Sequence, residues 1–227
     1  MKNLIVQYGQ CDNNCSYCYL KKLNIKSNIS KFKKTIGKIG YVDNLMISYK
    51  SPKWNAVYDR IISTIEYNNL SFTVKHNTYS DLVSSGFLYN KKFKEAHVSV
   101  QKIEELILAF SKHLKYSYYL NNNNFKALEK ILKFMTENYN PLSLYVTIEK
   151  SEPINFTRLF QLYTDYPDLI DLDSCYKRAI VKGFCQDVIV LNEDGNLYGC
   201  PYTTEFKLDN VEDDKPKTCP FIKKGRI

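Results

Sequence analysis

Short apolar runs alternate with helical patterns along most of the chain. Runs rich in Val, Ile, Tyr and Phe predict strands at Leu4–Tyr8, Leu45–Ser48, Phe72–Lys75, Val98–Gln101, Tyr116–Leu120 and Leu142–Ile148. Between them, apolar residues recur at helical spacing. Val57, Ile61, Ile62 and Ile65 form one stripe, Ile103, Leu106, Ile107, Phe110 and Leu114 a second, and Phe125, Leu128, Leu132 and Met135 a third. Asn124 reads as the N-cap of the third helix, after a loop at Asn121–Asn123. Strand then helix, repeated about six times, predicts an α/β fold with a parallel sheet and right-handed crossovers. Six units are too few for a closed eight-stranded barrel, so an open, partial (βα)6 barrel is expected, with a flat doubly wound sheet as the alternative. In both, the functional side is the carboxyl ends of the strands.

Composition narrows the class. With 227 residues, 44% hydrophobic and 25% charged, the chain is one domain or one domain plus a small appendage, and neither disordered nor fibrous. No apolar run approaches the ~20 residues that cross a bilayer, and the start, MKNLIVQYGQCDNNC, has no signal-peptide h-region. A cytoplasmic protein with no membrane partner is expected. The net charge of +8 rests on 28 Lys and 4 Arg, a bias typical of an AT-rich genome. Nucleic-acid sites favour Arg for bidentate contacts. The basic stretch KFKKTIGK at 31–38 reads as a solvated helix face. The charge permits a nucleic-acid partner without demanding one.

Seven cysteines carry more information. Their odd number and the missing secretion signal argue against a disulfide scaffold and for metal or cluster ligands. They form two groups: Cys11, Cys15 and Cys18, then Cys175, Cys185, Cys200 and Cys219. Cys11-x3-Cys15-x2-Cys18 places three thiolates in an eight-residue loop just after the first predicted strand. A short loop of this kind can hold three irons of a [4Fe–4S] cluster. The next cysteine is 157 positions on, so the fourth iron has no local ligand and stays open to substrate or cofactor. A zinc knuckle is the plainer alternative, although no His or further Cys lies in the first 75 residues.

CDNNCSYCY resembles the CxxxCxxC signature of the radical S-adenosylmethionine enzymes, including the aromatic Tyr17 before the last cysteine. With the (βα)6 pattern, the resemblance extends over about 150 residues. It implies that the cluster at Cys11, Cys15 and Cys18 chelates S-adenosylmethionine and cleaves it reductively to a 5′-deoxyadenosyl radical that removes hydrogen from substrate. It also implies an electron donor such as flavodoxin or ferredoxin. The family's Gly-Gly-Glu-Pro motif after the second strand aligns with Ser48-Tyr49-Lys50-Ser51-Pro52, where Ser48 and Pro52 match and the glycines and glutamate are replaced. Tyr49 and Lys50 would crowd a backbone approach to the cofactor. Asn77 resembles the Asn of a Thr-Asn-Gly motif, and Ser99 and Gln101 stand where a fourth strand often meets the cofactor. His76, on the same rim, is a candidate proton donor, whereas His97 and His113 read as structural.

At the other end, CQDVIVLNEDGNLYGC reads as a β-hairpin that turns at Asn192–Gly195 and carries Cys185 and Cys200 at its ends. The spacing C-x9-G-x4-C resembles the opening of the SPASM domain, here in its truncated Twitch form with one auxiliary [4Fe–4S] cluster. The resemblance makes Cys185, Cys200 and Cys219 its ligands. Cys175 is the fourth, or else a substrate ligand or a free thiol, and a zinc site is the alternative for the group. The expected organisation is a partial barrel over 1–150, a linking helix within 151–170 around Asn155–Tyr163, and a Twitch-like domain over 171–227. Peptide modification and small-molecule oxidation lead among substrates. The early first strand leaves no room before it for a leader-peptide-binding domain, which weighs against a peptide. A nucleotide- or RNA-modifying relative, whose binding would weaken with salt, and a non-catalytic iron–sulfur carrier are the rivals.

Overall fold

Leu4 and Val6 bury on one side of the first strand while Asn3 and Ile5 stay half-exposed on the other, the period-two alternation of a sheet with one covered face. In the computed structural model, the described residues are 3–8, 23–39, 42–48, 61, 63, 71–76, 78–107, 113–138, 142–148, 153–173, 175, 188–215 and 219. They build β1 (Asn3–Gln7), α1 (Ile29–Ile36), β2 (Asn44–Ser48), β3 (Phe72–His76), α2 (Tyr79–Ser84), β4 (Phe93–Ser99), α3 (Glu104–Ile107) and β5 (Leu114–Leu120). There follow α4 (Phe125–Glu137), β6 (Leu144–Ile148), α5 (Phe156–Asp165), β7 (Ile170–Leu172), β8 (Val188–Asn192), β9 (Leu197–Tyr198) and β10 (Lys207–Leu208). The chain divides into two compact units.

The first unit comprises Met1–His76, Ser80–Ala96 and Cys185–Pro216. Its strands run in the order β10-β9-β8-β1-β2-β3. β8, β1, β2 and β3 are parallel neighbours, and β9 and β10 add antiparallel. Leu4, Val6, Leu45, Ile47, Phe72, Val74, Ile189 and Leu191 are all buried. These residues share one side of the four parallel strands. Helix α1 buries Phe32 and Ile36 and exposes Lys31, Lys33 and Lys34, the solvated face read from KFKKTIGK. Burying Phe32 contributes about 2–3 kcal/mol. The hairpin expected near the C-terminus is present, and its first strand is hydrogen-bonded along β1 from Asn3↔Val188 to Gln7↔Asn192.

The second unit contains the remaining chain, including His97–Phe184. Its strands β5, β6 and β7 are parallel neighbours. Phe125, Leu128, Leu132 and Met135 of α4 are buried as the periodicity requires, with Ile131 beside them. A helix is present where one was expected around Asn155–Tyr163: it is α5, capped by Asn155, whose side chain accepts from Arg158 N at 3.1 Å.

Two expectations about element limits change. The fourth strand runs Phe93–Ser99 and stops before Gln101, because Phe93 sets its ring edge-on to Phe72 at 6.1 Å and extends the strand backwards through charged Lys94 and Glu95. Leu114 opens β5 and does not close a helix, and His113 lies in the turn before it. The parallel α/β architecture itself is the one expected.

Candidate functional site

Pairing in the first unit aligns Val6 with Ile47 and Ser48 with Lys75, while Gln7 lies opposite Asn192. Asn192, Gln7, Ser48 and Lys75 therefore form a row across β8, β1, β2 and β3, on the face opposite the apolar one and at the carboxyl ends of the strands. Gln7 is 0% exposed and Asn192 2%. The Asn192 Nδ2 donor is buried and meets no acceptor among the described residues. A buried donor without an acceptor costs roughly 1–3 kcal/mol, a cost proteins retain where a ligand completes the bond. Within the row, Gln7 lies just before the three-cysteine motif in sequence, four positions ahead of Cys11.

Tyr8 leaves β1 with its ring 4.8 Å from that of Phe32. Burial, followed by the nearby Glu193 carboxylate, pushes its phenol above the ordinary value. An open cleft of about 1070 Å³ has Lys31, Lys34 and Lys38 among its lining residues, together with Asp209, Glu212 and Asp213. Two backbone N–H groups, of Asn210 and Asp209, hold the Asp213 carboxyl below its ordinary value. Carboxylates thus share this cleft with the basic stretch.

In the second unit, Ser99 ends β4 and Gln101 lies two residues beyond, after Val100 has donated its N–H to Ser117 O at 2.8 Å. Gln101 N and Lys102 N both donate to Glu105 Oε2, at 2.5 and 3.1 Å, so this carboxylate fixes the loop. Among the described residues, Gln101 Nε2 is buried and meets no acceptor, and Thr147 Oγ1, near the end of β6, is likewise buried and meets no partner. Asp173 is 1% exposed, and its Oδ2 accepts a long bond from Ile148 N at 3.4 Å. His97 packs edge-on against Tyr145 with ring centroids 6.1 Å apart, as befits a structural histidine.

Of the residues expected to form the site, Ser48 and Ser99 are at the carboxyl ends of their strands and Gln101 lies just past one. His76 is the last residue of β3, and its side chain lies outside the described residues. Cys11, Cys15, Cys18, Tyr17, Tyr49, Lys50, Asn77 and Cys185 also lie outside them. Cys175 and Cys219 are half-buried and Cys200 is buried, and none of the three forms a disulfide among the described residues. Cys200 is 8% exposed, and its Sγ accepts from Tyr202 N at 3.5 Å. An N–H bond to sulfur two residues on suits a thiolate ligand, whose charge it offsets. Among the described residues no group of three His, Cys, Asp or Glu side chains is arranged to hold a metal ion. Gln7, Asn192, Thr147 and Asp173 escaped the sequence reading. Their signal is slight, a polar residue near the end of an apolar run, at the parity opposite the run's main apolar residues.

The parallel sheet and the polar row at its carboxyl rim define an α/β protein of the class that binds ligands at strand ends. No family model matches the sequence, and no curated protein does. Among solved structures, the chain is similar to SuiB of Streptococcus suis bound to S-adenosylmethionine, with a TM-score of 0.64 and 14% identity over 93% of this chain. It is similar also to SuiB bound to the precursor peptide SuiA, with a TM-score of 0.63 and 13% identity over 93% of this chain. The chain has the SuiB fold and spans 64% and 63% of those two chains. The resemblance to radical S-adenosylmethionine enzymes read from the cysteine motif therefore holds at the level of the fold. Among the described residues no helix is long and apolar enough to cross a membrane.

Proposed function

We propose that the chain is a radical S-adenosylmethionine enzyme that oxidises, cross-links or otherwise matures a peptide. The observation that carries this reading is that Cys11, Cys15 and Cys18 follow the carboxyl end of β1 in sequence, in a chain with the SuiB fold. When bound there, a [4Fe–4S] cluster and S-adenosylmethionine would supply hydrogen-atom abstraction. The chain's own residues hold, orient and shield. In this reading Ser48, Ser99 and Gln101, each at or just past the end of its own strand, contact the cofactor together with Tyr17, Tyr49, Lys50 and Asn77. His76 serves as a proton donor. Gln7 and Asn192 form the buried side of the row, where water is excluded.

Support for a peptide substrate comes from the likeness to SuiB bound to SuiA and from the carboxamides of the first rim, which match backbone amide groups. Residues 171–227 constitute the Twitch-like region, with Cys175, Cys185, Cys200 and Cys219 around an auxiliary [4Fe–4S] cluster, after a barrel over 1–150 and a linker over 151–170. The cytoplasm supplies the reductant as a flavodoxin or ferredoxin.

Anaerobic reconstitution with iron and sulfide, then reductant and S-adenosylmethionine, tests the reading. The expected result is about eight irons per chain and release of 5′-deoxyadenosine without added substrate. Changing Cys11, Cys15 and Cys18 together to Ala abolishes release and leaves about four irons. Zinc as the sole metal, or release that survives the triple change, overturns it.

A further inference from the structure

The two cysteine groups are far apart in sequence, yet the hairpin that leads to Cys200 touches the chain on both sides of the first group. Upstream of Cys11, β8 pairs with every residue of β1, from Asn3↔Val188 to Gln7↔Asn192. Downstream of Cys18, the turn between β8 and β9 meets α1 and its cap. Asn28 N donates to Glu193 O at 2.8 Å, Thr35 Oγ1 to Gly195 O at 2.7 Å, and Lys31 Nζ to Asn196 Oδ1 at 2.5 Å. Gly195 has φ +74°, and a Cβ there would come within 2.6 Å of Lys31 C and Phe32 N. Contact this close between a turn and a helix backbone tolerates no side chain. The Tyr8–Phe32 ring pair joins the exit of β1 to the same helix.

We propose that the hairpin Val188–Tyr198 is a clamp that positions the N-terminal cysteine loop by holding β1 before it and α1 after it, with Gly195, Thr35 and Asn28 as positioning residues. The inference rests on the reading that Cys11, Cys15 and Cys18 hold a cluster. It adds that the C-terminal region determines the geometry of that cluster as well as any cluster of its own. The physical ground is entropic. A loop fixed at both ends samples few arrangements, so its three thiolates are held closer to the geometry a cluster needs. The glycine of the C-x9-G-x4-C pattern thereby acquires a role away from the cysteines that flank it.

The test uses the full chain with Gly195→Asn, Thr35→Val and Thr35→Ser. A turn that needs only positive φ accepts Asn. A turn pressed on α1 does not. Hydrogen exchange on the iron-free protein is expected to rise about 5- to 10-fold across residues 9–28 in Gly195→Asn and Thr35→Val, with α4 and β6 unchanged. In the reconstituted protein, the change that S-adenosylmethionine produces in the electron paramagnetic resonance signal of the reduced cluster is expected to weaken in both variants. Thr35→Ser, which keeps the hydroxyl, behaves as wild type.

Exchange that rises only within 192–198, with the cluster signal unaltered, overturns the clamp. If Gly195→Asn does not fold, Thr35→Val decides the matter. If the wild-type signal ignores S-adenosylmethionine, the radical reading fails while the exchange pattern still judges the clamp.

Discussion

Tyr198 donates its hydroxyl to Asp194 Oδ2 at 2.6 Å, and Asn196 Nδ2 donates to the same oxygen at 2.7 Å. Burial first, then the Asp194 carboxylate, pushes the Tyr198 phenol up to about 12 from its ordinary 10.0. A phenol raised in the folded state favours the neutral form there. Its stabilisation is complete below the ordinary value and is lost as pH rises through 12. Tyr198→Phe is expected to cost about 1 kcal/mol in urea unfolding at neutral pH. It should also remove one phenol from the late-ionising set seen in phenolate absorbance, to which Tyr118, pushed by burial likewise up to about 12, still belongs. At this scale the sequence was partly legible. Ser48 could be placed at a strand end because the run Leu45-Met46-Ile47 announces where its strand stops, whereas Ser99 was expected inside a strand that ran on to Gln101. Gln7 and Asn192 could not be paired, because a single polar residue in an apolar run shows its meaning only through the strand that aligns with it.

The helices show both the reach and the limits of periodicity. In α4 the apolar stripe gave the buried face correctly, because i, i+3, i+4 spacing is a geometric consequence of 3.6 residues per turn. Asn124 precedes that helix as a cap should, yet makes no side-chain cap bond. Its Oδ1 accepts from Asn121 N at 2.8 Å and its Nδ2 donates to Tyr119 O at 2.8 Å, so it closes the loop after β5. Asn155 is a true cap. The two therefore respond differently to substitution. Ala at either position is expected to cost about 1–2 kcal/mol in the urea midpoint. Ser restores most of the stability at Asn155, where one oxygen suffices, and little at Asn124, where donor and acceptor must both reach. The strand β4 was set too late in the chain because Lys94 and Glu95 interrupt its pattern, while the Phe93–Phe72 contact that anchors it is tertiary.

For the whole molecule, the placement of β8 beside β1 governs which parts of the chain act together. It puts the C-terminal hairpin in the same compact unit as the strand that precedes the first cysteines. Cys200, buried and accepting from Tyr202 N, is expected to hold iron separately from the N-terminal loop. Cys200→Ala should lower reconstituted iron from about eight to about four per chain while uncoupled release of 5′-deoxyadenosine persists. Iron analysis and nucleoside chromatography on the same sample check both halves of that outcome.

The sequence alone determined the alternation of strands and helices, the parallel α/β class, the hairpin turn at Asn192–Gly195 and the cysteine loop after the first strand. Each follows from spacing within a few residues, set by backbone geometry and turn chemistry. Only the tertiary structure decided that Val188–Asn192 lies along Asn3–Gln7, that Gly195 presses on α1, and that Asn192, Gln7, Ser48 and Lys75 form one row. Pairing between distant strands is set by burial and hydrogen bonding summed over the whole sheet, and that sum leaves no periodic trace in either segment by itself.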